Sequence, residues 1–270
     1  MRELSESRQV YDEIDAIKRI APAFATNCFS LHTRLQQWLD RKLLTGIRLE
    51  NAFLLFQQDE GFHRLHFFAT EPNALAAALG AKETTTYETV VCDIVGRPID
   101  VDTMAGRFEG HGFHRYCLLH RLTRVNASAE SATGGTGVTL ATPEDSAVIV
   151  SALRQHFDPR AEQLPAASEI DEAVRRAQIL VSRKDGKIAG FLYFEINGQT
   201  GIVRYWFVDP LYRDAGVGAA LMRNFFERCR LTKRQLLWVI ESNRNAIARY
   251  CHYGFSADNL CDQVMLKQRS

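Results

Sequence analysis

The segment 203–226 demands that a strand stop abruptly and a helix begin, and few folds can accommodate that. Val203, Tyr205, Trp206, Phe207 and Val208 are β-branched or aromatic, which suits a strand. Asp209-Pro210 stops it, and Leu221, Met222, Phe225 and Phe226 then recur at helical spacing. Gly216 and Gly218 therefore fall at the start of the helix. The first N–H groups of a helix have no intrahelical partner and sit at the positive end of its dipole, so with glycines there a phosphate can approach the backbone closely. Arg213 adds a cation at the mouth of that nest.

A glycine pair before a helix also fits an ordinary tight turn, so its context decides. A dinucleotide loop would carry a third glycine where Leu221 stands, and a P-loop would follow its last glycine with Lys and Ser or Thr. The run Gly134-Gly135-Thr136-Gly137 leads into Val138-Thr139-Leu140, which reads as strand, so it reads as a linker. Further on stand Asn243, Ala246, Tyr250 and Gly254-Phe255. Taken with Val208-x-Pro210-x-x-Arg213-x-x-Gly216-x-Gly218, this pattern resembles the acetyl-CoA motifs of the GNAT superfamily of N-acetyltransferases, and the likeness covers 138–266.

The resemblance implies an α/β fold with a mixed sheet, in which acetyl-CoA lies between two diverging strands, here 203–208 and 236–240. It places the pyrophosphate on Arg213, Asp214, Ala215, Gly216, Val217, Gly218 and Ala219, and the thioester carbonyl at the main chain of Phe207 and Val208. Asn243, Ala246 and Tyr250 share one helix face that would line the cofactor, with Tyr250 protonating the departing thiolate. Asn243 also reads as a helix N-cap, and Tyr250 as a core tyrosine beside Phe255. The positions where the superfamily often carries a basic glutamate hold Ile202 and Trp238, which leaves Glu195, Glu241 or a water chain as base. The implied activity is transfer of an acetyl group from acetyl-CoA to a primary amine of a small molecule or peptide, by direct attack in a ternary complex. The missing base keeps a non-catalytic acyl-CoA sensor or assembly module open as the alternative.

The first half, 1–130, shows two helical stripes within 7–42, broken at Pro22. A hairpin around Gly61 follows, then a helix at 72–79, a strand at 87–95, a helix at 99–108 and a strand at 116–122. The order repeats in 138–270, where a hairpin turns at Lys184-Asp185-Gly186. Either the first half is a degenerate copy of the second, in a tandem arrangement, or it is an unrelated α+β domain. As a copy it lacks the Arg-x-x-Gly-x-Gly loop, because Glu71-Pro72 opens its equivalent helix. Small polar residues at 127–137 mark the boundary. In the second half Thr142 and Pro143 start a helix, and the helical pair that follows borders the acceptor site by resemblance.

A formal charge of +1 on 270 residues gives no field to steer nucleic acid, and no apolar run is long enough to cross a bilayer. The six cysteines form no Cys-x-x-Cys pair and the first residues lack the apolar core of a signal peptide, so a cytoplasmic protein with reduced thiols is expected. The histidines offer no ligand spacing for a metal. Oligomeric state and the acceptor amine stay open at this level.

Overall fold

The computed structural model describes residues 2–29, 31–125, 137–213 and 215–269. The linker expected at 127–137 falls outside them apart from Gly137. The chain divides into two compact units, Met1–Leu119 with Asn259–Ser270, and His120–Asp258.

The first unit contains β1 (Arg2–Glu3), α1 (Ser7–Ile20), β2 (Ala25–Thr26), α2 (Leu31–Asp40), β3 (Leu44–Leu49), β4 (Ala52–Asp59) and β5 (Phe62–Ala69). These are followed by α3 (Pro72–Leu79), β6 (Thr89–Gly96), α4 (Pro98–Glu109) and the start of β7 (His114–Val125). The expected helical pair is present as α1 and α2, but the short strand β2 between them was not foreseen. The sheet runs β1-β3-β4-β5-β6-β13, where β13 (Ser256–Gln268) is the last strand of the chain and pairs along β6 from Cys261↔Gly96 to Gln268↔Thr89. Sequence order alone groups 259–270 with the second half; pairing puts it in the first. Alternation along β4 sends Leu54 and Phe56 to a core with α3 and α4, and Phe53 and Leu55 to one with α1 and α2.

The second unit holds β8 (Val138–Leu140), α5 (Ser146–His156), α6 (Pro159–Glu162), α7 (Ala167–Arg175), β9 (Ile179–Lys184) and β10 (Lys187–Asn197). Then come β11 (Thr200–Val208), α8 (Val217–Arg228), β12 (Arg234–Ile240) and α9 (Arg244–His252). Thr142 caps the short turn before α5 as its residue type predicts, with its N–H donated to Asp145 Oδ2 at 2.8 Å. The strands run β12-β11-β10-β9-β8, with β11 and β12 parallel and the rest of this order antiparallel. Leu192 and Phe194 of β10 face α8 and α9, while Phe191 and Tyr193 face α5 and α7. Both units thus repeat one plan: an antiparallel pair, a crossover helix, and a parallel neighbour (β4-β5-α3-β6 and β10-β11-α8-β12). Among the described residues no helix is long and apolar enough to cross a membrane.

Candidate active site

β11 and β12 pair from Thr200↔Arg234 to Val203↔Leu237 and no further, although β11 continues to Val208 and β12 to Ile240. The cause lies on the other edge of β11. There the register with β10 passes from Tyr193↔Tyr205 to Phe194↔Val203, so Arg204 is an extra, unmatched residue. A bulge bends its strand and sharpens the local twist, and this one sits immediately after the last residue paired to β12. The two strands therefore open into a gap.

The same ladder fixes which amides face that gap. Asp209 donates its N–H to Ala189 O at 3.0 Å, and the register makes Phe191↔Phe207 the next hydrogen-bonded pair and Gly190↔Val208 the non-bonded pair between them. Phe207 thus turns its N–H to β10, and its ring stacks at 4.7 Å on His156 and lies tilted at 5.4 Å from Phe191. The amides of Trp206 and Val208 point to the open edge. Of the two main-chain positions expected at a thioester, only Val208 presents an N–H there.

Beyond Val208 the chain turns through Pro210–Tyr212 and enters α8. Gly216 is the N-cap of α8 with φ 74°, in the left-handed region where glycine is unstrained. Gly218 answers a different need: a Cβ there would lie 3.0 Å from the Trp206 ring and 3.4 Å from Val208, so glycine lets the helix start sit against β11. The first backward bond of the helix is Ala220 N–H to Gly216 O at 3.0 Å, which leaves the N–H groups of Val217, Gly218 and Ala219 directed outward. Ala215 closes the turn on Tyr212 O, Arg213 is exposed at its rim, and Asp214 lies outside the described residues.

A groove of about 430 Å³ runs over this helix start and under α9. Its floor includes Trp206, Val208 and Gly218, and its opposite wall is Ala248, Arg249 and His252 of α9 with Tyr253 just beyond the helix. That wall differs from the face expected from sequence. Asn243 is the N-cap of α9 and accepts the Ala246 N–H at 3.2 Å, which is the plainer of its two expected roles. Tyr250 lies inward, 7 % exposed, with its ring 5.4 Å from Trp206 and 6.0 Å from Phe255. Trp206 connects the two: its ring borders the groove on one side and Tyr250 on the other, and its indole Nε1 is buried with no hydrogen-bond partner. Burial, with the Glu162 charge adding to it, pushes the Tyr250 phenol well above its ordinary pKa, so it holds its proton at neutral pH.

The sequence profile of the acetyltransferase (GNAT) family matches residues 148–255, which span the bulge, the gap and the α8 start. Residues 148–255 form a GNAT-family domain. Solved structures resemble the whole chain in fold. A GCN5-related N-acetyltransferase from Sphaerobacter thermophilus aligns with a TM-score of 0.59 at 15 % identity, covering 88 % of this chain and 85 % of its own. A GNAT-family acetyltransferase from Novosphingobium aromaticivorans gives 0.52 at 16 %, covering 86 % and 93 %. A tandem GNAT protein from the clavulanic acid biosynthesis pathway gives 0.52 at 14 %, covering 95 % and 87 %. At such identities the likeness is one of fold, and it extends over both units. Comparison with curated proteins returned no match.

Within the GNAT domain the two glutamates considered from sequence are both engaged. Glu195 Oε1 accepts the Tyr193 hydroxyl at 3.2 Å and lies 3.7 Å from Arg204. Glu241 Oε1 lies 3.2 Å from His120 Nε2 on the half-exposed rim. Sequence reasoning passed over Glu162, at the end of α6. Its Oε2 accepts the Asp158 N–H at 3.0 Å, and Tyr205 donates its hydroxyl to Glu162 O at 2.8 Å and to Gln163 O at 3.0 Å. Gln163 ends α6 in the left-handed region with φ 46°. Burial raises the Glu162 carboxyl to about 7, with the Asp158 charge adding to the rise and the Asp158 N–H bond opposing it. The only local signal was Asp158-Pro159, with the capping Asp158 four residues before Glu162, a helix start without chemistry of its own.

The first unit carries the same opening in a closed state. Its parallel pair β5 and β6 matches only at His63↔Val90 and Arg64↔Val91, and the side chain of Asn27 occupies the widening gap. Asn27 Nδ2 donates to Leu65 O at 2.9 Å and to Asp93 O at 3.0 Å, while its Oδ1 accepts the Phe67 N–H at 2.9 Å. Next to it, β2 pairs with the end of β5. α3 begins at Glu71-Pro72, with no glycine to admit an anion. Among the described residues no cluster of His, Cys, Asp and Glu could hold a metal ion.

Proposed function

We propose that the second unit transfers an acetyl group from acetyl-CoA to a primary amine of a small molecule or peptide. The observation that carries this reading is the parting of β11 from β12 after Val203↔Leu237, next to an α8 start whose amides face outward. The donor set fits the co-substrate: three helix N–H groups with Arg213 beside them suit a pyrophosphate, and the open-edge N–H of Val208 suits a thioester carbonyl. Acetyl-CoA supplies the activated acyl group. Val208 N–H polarises the carbonyl and holds negative charge as the amine adds; the C–N bond forms, the C–S bond breaks, the thiolate takes the phenol proton of Tyr250, and the proton that the nitrogen gives up passes to a base or water, from which Tyr250 is reprotonated. The buried phenol suits that task because it keeps its proton at neutral pH and so has one to give when the thiolate leaves. The Trp206 ring borders the groove and packs on Tyr250 behind it. No acyl-enzyme is needed, since direct attack within a ternary complex suffices. We place the reaction in the cytoplasm, where thiols such as those of Cys92 and Cys251 stay reduced.

The test is release of free thiol from acetyl-CoA across a panel of alkylamines, arylalkylamines, amino acids and short peptides, run beside a binding titration. Turnover with at least one amine supports the reading. Binding without turnover across the panel supports an acyl-CoA sensor instead.

A further inference from the structure

Resting on that acetyl-transfer reading, we propose that Glu162 is the general base that takes the proton from the acceptor amine. The argument begins at β11 where it leaves β12. Successive residues there point to opposite faces, Tyr205 to the α5 and α7 side and Trp206 to the α8 and α9 side. Tyr205 holds the backbone of Glu162 and Gln163 through its hydroxyl. Trp206 holds the ring of Tyr250. One strand, at the point where it opens, therefore fastens the main chain that carries Glu162 on one face and the ring of Tyr250 on the other, and the Glu162 charge reaches the Tyr250 phenol. A proton acceptor and a proton donor on either side of the gap are what aminolysis of a thioester requires.

The placement of Glu162 is fixed rather than fortuitous. Asp158 accepts the Arg160 N–H through its Oδ1 and donates its own N–H to Glu162 Oε2 at 3.0 Å, while Gln163 ends the turn in a left-handed conformation. Only one of the four carboxylate lone-pair sites is used by that cap. The charged and titratable groups facing Glu162 are Asp158 from its own turn, Tyr205 from β11 and Tyr250 from α9. Burial, with the Asp158 charge adding to it, sets the carboxyl near 7, where a base is half ionised at neutral pH and can both take and release a proton. Glu195 and Glu241 are held by Tyr193 and Arg204, and by His120. In the step, the amine nitrogen bonds to the acyl carbon, its proton passes to Glu162, and the C–S bond breaks as Tyr250 protonates sulfur. Exchange with water then returns the proton from Glu162 and reprotonates Tyr250.

The experiment compares kcat/KM against pH for the unaltered protein and Glu162→Gln, using the best amine of the panel, with acetyl-CoA affinity and melting temperature measured alongside. The unaltered protein should gain activity as pH rises through about 7 and then level off, because the base must be ionised. Glu162→Gln should lose that limb and fall by about 10²–10⁴-fold, with acetyl-CoA affinity kept, since the amide oxygen can still accept the Asp158 N–H. Should Glu162→Gln fail to fold, Glu162→Asp takes its place: a slower enzyme that keeps the limb supports the proposal, and an unchanged rate overturns it. An active protein whose Glu162→Gln variant keeps both rate and limb overturns the base while leaving acetyl transfer standing. Acetyl-CoA binding with no turnover of any amine removes the acetyl-transfer reading, and the role of Glu162 with it.

Discussion

The indole of Trp206 lies 5.4 Å from the Tyr250 ring, inclined by 51°, so the residue that borders the groove also fixes the buried phenol. Tyr250→Phe keeps that packing and removes only the hydroxyl. The turnover rate should fall by about 10²–10⁴-fold with acetyl-CoA affinity and melting temperature little changed. Steady-state kinetics beside a binding titration reads this, and an unchanged rate would assign the thiolate proton to water.

Asn27 fills the gap of the first unit with four hydrogen bonds to β5 and β6, one of them to Cys92 Sγ. Asn27→Ala leaves two carbonyls and one N–H without that partner and should cost about 2–4 kcal/mol, measured by urea unfolding. Because the plug occupies the gap, calorimetric titration of the unaltered chain should give one acetyl-CoA per chain. A stoichiometry of two would show that the first unit also binds.

A buried charge cluster makes the first unit sensitive to pH. Arg64 pairs with Asp93 at 2.6 Å, and Asp262 lies near both with its Oδ1 unpartnered. Burial, and then the Asp93 charge, hold the Asp262 carboxyl well above its ordinary value. The folded state therefore binds that proton more tightly than the unfolded chain, and this site loses stability as pH rises above about 4, the ordinary aspartate value. Asp262→Asn should be more stable than the unaltered protein, by a margin that widens between pH 5 and 7 in thermal melts. Asp93→Ala should do the reverse and cost about 3–5 kcal/mol, because it removes the ion-pair partner of a buried guanidinium.

What could be read from the sequence follows from the range of the interactions involved. The α8 start was legible because Asp209-Pro210, Gly216, Gly218 and the Leu221–Phe226 stripe follow one another closely in sequence and act locally. Periodicity put Asn243, Ala246 and Tyr250 on one face of α9 but could not say whether that face meets the groove or the core; packing against Trp206 and Phe255 decided for Tyr250. Glu162 was invisible because its position and its raised pKa come from Tyr205 and from burial, both remote in sequence. The Asn27 plug and the pairing of β13 with β6 are likewise long-range, and a strand pattern such as 261–268 reads the same whichever neighbour it joins.

The account stands most directly on the anion-binding role of the α8 start, and calorimetric titration of acetyl-CoA into Gly216→Asp tests it. At the helix N-cap a carboxylate interacts favourably with the dipole by about 0.3–1 kcal/mol. This offsets the cost of a side chain at φ 74°, and a Cβ there meets nothing within 4 Å. The variant should thus melt within a few degrees of the unaltered protein. The same carboxylate would stand against the pyrophosphate, so acetyl-CoA affinity should fall by at least about 100-fold. A folded Gly216→Asp that binds acetyl-CoA as tightly as the unaltered protein would contradict the account.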